Sequence, residues 1–149
     1  MPPGTGGPRH AGRGHRLVPH TADCMLEAWG QSREACLAEA MTALVEVFAQ
    51  TRDDVPAERV VPLAANAGAD ADVLVAMLEE VIFVADVFGC VPVRVHLSAA
   101  EDGGVSGDMV VVDAGEVELI GPVPKGVSYH RLEIGEDGGR WSCRAVVDV

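Results

Sequence analysis

Apolar and polar positions change their spacing several times along the chain, and each change marks an element. Leu17 and Val18 lead into "CMLEAWG", where Cys24, Leu26 and Ala28 alternate with Met25, Glu27 and Trp29. A period of two predicts a strand. Gly30 ends it, and Ser32 then caps a helix over "SREACLAEAMTALVEVFAQ", with Glu34 in the first turn. Leu37, Met41, Leu44 and Phe48 fall at helical spacing and form one apolar stripe. "RVVPLAANA" predicts a strand, and Pro62 places it at a sheet edge, where a missing N–H does least harm. A second helix starts near Asp70 and Asp72. Val73, Leu74, Met77, Leu78, Val81, Ile82, Ala85 and Phe88 give it a broad apolar face, and Gly89 supplies its stop.

From Cys90 onward the pattern is extended. Val91, Val93, Val95 and Leu97 are expected on one face of "CVPVRVHLSA", with Arg94 and His96 on the other. "VSGDMVVVDA", "EVELIG", "KGVSYHRLEI" and "RWSCRAVVDV" follow, separated by turn signals such as "AEDGG" and "GEDGG". Short connections require antiparallel pairing. The fold class expected is therefore α+β: one domain, with two helices packed on a mixed or antiparallel sheet.

Composition adds limits. At 149 residues with 48% hydrophobic content the chain can bury a core, and with 4% aromatics that core is aliphatic. The net charge of −12 is uneven. Residues 1–16 carry three arginines and no acid, and the remainder has eight basic against 23 acidic side chains. An acidic body argues against sequence-independent phosphate binding and favours a cation or a basic protein partner. The first 16 residues, Pro/Gly/Arg-rich and without periodicity, are expected to be a disordered tail before a domain spanning 17–149. No apolar run is long enough for a membrane span, and no signal peptide is expected. Cys24, Cys36, Cys90 and Cys143 form no CxxC pair and sit in apolar patterns, so buried reduced thiols in a cytoplasmic protein are expected.

The candidate chemistry lies at the two ends of the predicted core. His20, Thr21 and Asp23 precede the first full strand, and the last strand runs to Asp148 and Val149. Adjacent anions at Asp148 and the Val149 carboxylate repel unless a cation lies between them. If the first and last strands are neighbours, Asp23 joins them in an all-oxygen cluster suited to Ca2+, Mg2+ or Mn2+ rather than zinc. The plainer reading makes Asp23 a turn residue and Asp148 a solvated strand end. His20, His130 and Lys125, the only lysine in the chain, form a possible acid–base set. No phosphate-binding loop or nucleophile elbow is present.

Three stretches in order resemble the archease family. "PHTADCMLEAWGQSREACLAEAMTALVEVF" is similar to its opening, "PKGVSYHRLEI" to its lysine-containing strand, and "CRAVVDV" to its terminal strand. Gly126 and Ser128 depart from the pattern, standing where relatives usually have alanine and threonine. The resemblance implies an archease-like fold and a non-catalytic accessory protein of the GTP-dependent RNA ligase of tRNA splicing and RNA repair. Such a protein promotes ligase guanylylation and multiple turnover, and meets RNA only through the ligase. It also implies a metal-binding site at Asp23, Asp148 and Val149, with His20, Thr21, Lys125 and His130 as supporting or partner-facing residues. Two other readings are a stand-alone metal-dependent hydrolase or phosphotransferase using Asp23, Asp148, His20 and His130, and a chaperone-like interaction module.

Overall fold

A computed structural model describes residues 12–19, 23–52, 54–55 and 59–149. Strand β1 (Gly14–Pro19) is followed by β2 (Asp23–Gly30), helix α1 (Arg33–Phe48) and the short β3 (Ala49–Gln50). Then come β4 (Arg59–Ala65), α2 (Asp70–Phe88), β5 (Cys90–Ala99) and β6 (Val105–Asp113). A single 3-10 turn (Ala114–Glu116) leads to β7 (Glu118–Leu119), β8 (Gly126–Asp137) and β9 (Arg140–Asp148).

The strands form an antiparallel four-stranded sheet in the order β1-β2-β9-β8, a three-stranded sheet in the order β4-β6-β5, and a two-residue pairing of β3 with β7. The α+β class holds, with two main sheets rather than one. Helix α1 packs against β2 on one side and β5 on the other, so it carries the centre of the core. Its stripe of Leu37, Met41, Leu44 and Phe48 is completely buried. Ser32 caps the helix by accepting a hydrogen bond from the Ala35 N–H at 3.0 Å. Arg33 ties the starts of the two helices together, donating to Asp70 (3.0 Å) and to the carbonyls of Gly103 (3.0 Å) and Gly104 (3.1 Å).

The structure moves four expectations. The core begins at Gly14, not Leu17, because β1 pairs with β2 from Gly14 opposite Trp29. The tail expected before it falls, through residue 11, outside the described residues. Strand β5 bulges between Pro92 and Arg94, where proline has no N–H to give the ladder, so Val93 does not continue the buried row. "EVELIG" shrinks to the two residues of β7. Phe88, expected in the buried face of α2, is 58% exposed. It is the last helical residue, and Gly89 (φ 64°) turns the chain away in the left-handed conformation before the ring reaches the core. All four cysteines are free thiols. Cys36, Cys90 and Cys143 are buried, and Cys24 is half-buried.

Candidate functional site

Alternation along β2 and β9 decides which way each side chain faces. Leu26, Ala28, Cys143, Ala145 and Val147 belong to the core under α1. Residues of the opposite parity therefore face away from the helix. Glu27 illustrates that outer face: it accepts from Arg16 on β1 (2.6 Å) and from Arg144 on β9 (3.0 Å). These arginines hold the Glu27 carboxyl below its ordinary pKa although its partial burial acts the other way. Next along the face, Met25 stands opposite Val146.

Asp23 occupies the following row, directly opposite Asp148. Opposed residues of an antiparallel pair project to the same face with Cβ atoms about 5 Å apart. The two carboxylates thus share one edge of the outer face. Asp23 is half-buried with its Oδ1 closed off from solvent, and Asp148 is exposed. Burial, and then the charge of Asp23, pushes the neighbouring Cys24 thiol up, so Cys24 stays protonated. On its other side Asp148 is paired with Gly126 of β8, and the Lys125 N–H donates to the Asp148 carbonyl at 2.8 Å. A Cβ added at Gly126 would meet nothing within 4 Å. The face beside Asp148 is therefore open at this position.

Of the sequence candidates, the fold brings together Asp23, Asp148, Val149 and the backbone of Lys125. His20 and Thr21 lie outside the described residues. His130 stands apart on a bulge where four residues of β8, Tyr129 to Leu132, oppose one residue of β9. Its N–H bonds to Ser128 Oγ at 2.9 Å. The bulge places Arg131 at φ 64°, an unfavourable backbone state for a residue with a side chain. It also turns Tyr129 outward to donate to Asp72 on α2 at 2.9 Å. Sequence reading missed this contact, since the bulge is a property of strand register. Two open cavities, of about 540 and 450 Å³, lie elsewhere, beside Gln50 and Glu118 and beside Trp29 and Arg140. Among the described residues no three His, Cys, Asp or Glu side chains converge on a metal-sized position. The carboxylate pair is thus a two-acid surface arrangement rather than a closed cage.

The sequence profile of the Archease protein family (MTH1598/TM1083) matches residues 15–149. The chain belongs to the archease family. A probable archease of Mycobacterium tuberculosis (strain H37Rv) is 38% identical over 136 residues, covering 91% of this chain and 75% of its own length. The archease of Methanopyrus kandleri is 30% identical over 141 residues, covering 89% of this chain and 96% of its own. Two solved archease-family structures share the fold. Protein 1598 of Methanobacterium thermoautotrophicum superposes with a TM-score of 0.67 at 22% identity, covering 91% of this chain and 99% of that one. A Thermotoga maritima protein described as an archease and possible chaperone gives 0.63 at 21% identity, covering 90% and 96%. The family match takes in both carboxylates and the Lys125 segment.

Proposed function

We propose that this archease is a non-catalytic activator of a GTP-dependent RNA ligase in tRNA splicing and RNA repair, promoting ligase guanylylation and repeated turnover. The observation that supports the reading is the register pairing of Asp23 with Asp148 in a chain of this family. Two carboxylates held on one face, with a main-chain oxygen of Val149 as third donor, match the hard, oxygen-preferring ions Mg2+, Ca2+ and Mn2+. Such an ion supplies charge neutralisation and orientation for phosphate oxygens. The chain's own part is positional. Strand pairing fixes the two carboxylates, Gly126 leaves their flank accessible to a partner, and Lys125, whose N–H bonds to the Asp148 carbonyl, is proposed to face that partner. His20, Thr21 and His130 are proposed to support or face the partner.

Among the described residues, His130 is carried on a bulge of β8 apart from the Asp23–Asp148 pair, which supports an accessory role over the hydrolase reading. RNA is met through the ligase, because the body of the chain is acidic. No helix among the described residues is long and apolar enough to cross a membrane, and the setting proposed is the cytoplasm. The test is to count guanylylated turnovers of the purified ligase from the same cell, alone and with this protein. Repeated turnover only in its presence supports the reading. Hydrolysis of GTP or RNA by this protein alone supports the enzyme reading instead.

A further inference from the structure

Helix α2 has an unusual solvent face. Phe83 is 50% exposed at its centre. The residues three and four positions away, which surround it on a helix, are Glu79, Glu80, Asp86 and Val87. Val87 is 56% exposed and Phe88 58%, and the Phe83 and Phe88 rings meet edge to face at 5.6 Å. The helix carries five acids and no lysine or arginine. Asp86 lies in the last turn, where the helix dipole favours a cation instead. Among the described residues, none of the ion pairs engages Glu79, Glu80 or Asp86. An exposed aromatic pair ringed by acids meets no requirement of this fold.

Charge decides what covers it. A second copy using the same face would set acids against acids in a two-fold interface. Nucleic acid and anionic lipid are repelled for the same reason. A protein surface with an apolar centre and a rim of lysine or arginine fits both the rings and the acids. We propose that this face of α2 is the docking surface for such a basic, apolar-centred patch on the ligase, a step that rests on the function proposed above.

The experiment titrates purified ligase with wild-type protein, Phe83→Ser/Phe88→Ser, Glu80→Gln/Asp86→Gln and Asp23→Asn, reading guanylylation. The thermal midpoint of each variant verifies its fold. Loss of the rings should raise the concentration for half-maximal stimulation about tenfold at an unchanged plateau, as for an interface anchor. Loss of the acids should raise it by a smaller factor and flatten its salt dependence. Asp23→Asn should lower the plateau. Unchanged half-maximal concentrations for both double variants, with wild-type stimulation intact, would overturn the docking surface alone. No stimulation by wild type would overturn the function and the docking surface together. A concentration-dependent dimer that Phe83→Ser/Phe88→Ser dissolves would assign the face to a second copy and overturn the proposal.

Discussion

Asp23 and Asp148 stand directly opposite each other on the two central strands of the four-stranded sheet. They are separated by almost the whole length of the chain, so only the closing of β9 against β2 unites them. Like charges directly opposed on a sheet are destabilising by a few tenths to about 1 kcal/mol unless a cation offsets them. A site that holds a divalent ion should therefore reveal itself in stability. Thermal unfolding with Mg2+, Ca2+ or Mn2+ at about 100 times Kd should gain about 2.7 kcal/mol in the wild type. Asp148→Asn should lose most of that gain, and without added ion should be no less stable than wild type.

His15 gives a pH prediction. Its Nδ1 lies 2.7 Å from Glu39 and its Nε2 3.0 Å from Glu46, with Arg13 also bonded to Glu39. Burial opposes the charge on the imidazole, but the two carboxylates outweigh it and raise the pKa from 6.5 to about 9. A folded value above the unfolded one means stability that is complete below pH 6.5 and is lost as pH rises through 9. The thermal midpoint of the wild type should fall across that window, and that of His15→Gln should fall less. At pH 6, His15→Ala should cost about 2 kcal/mol, the usual scale for bonds between charged groups.

Arg33 links α1, α2 and the turn at Gly103 and Gly104 through its bonds to Asp70 and to the two glycine carbonyls, with its side chain only 15% exposed. Arg33→Ala removes the guanidinium and leaves two carbonyls and the Asp70 carboxylate to find water. Chemical denaturation should show a loss of about 2–3 kcal/mol. Arg33→Lys should recover only part of it, because one ammonium cannot reproduce the planar fork.

In the core, Leu44 is completely buried within the α1 stripe between the two sheets. Leu44→Ala should cost about 2–5 kcal/mol by denaturant titration, reflecting lost burial plus the cavity left behind. That stripe was legible in the sequence because helical periodicity is a local property. Ser32 and Gly89 were legible for the same reason: capping needs only the neighbouring turn. Strand partners were not. Nothing local states that Gly14 pairs with Trp29, or that the start of β1 is held to α1 by Arg13 reaching Glu39 and His15 reaching Glu39 and Glu46. The Asp23–Asp148 row could be read only on the condition that the first and last strands adjoin. The bulge at Tyr129 to Leu132 was hidden because it depends on how β8 registers on β9. Phe88 misled because helical spacing alone cannot tell where the chain will turn away.

The acids paired across β2 and β9 are proposed to serve ligase activation. The most direct measurement is the plateau of ligase guanylylation with saturating Asp23→Asn protein in millimolar Mg2+ or Mn2+, after circular dichroism and the thermal midpoint have established that the variant is folded. The expected plateau is close to that of the ligase alone. Full stimulation by folded Asp23→Asn would contradict it.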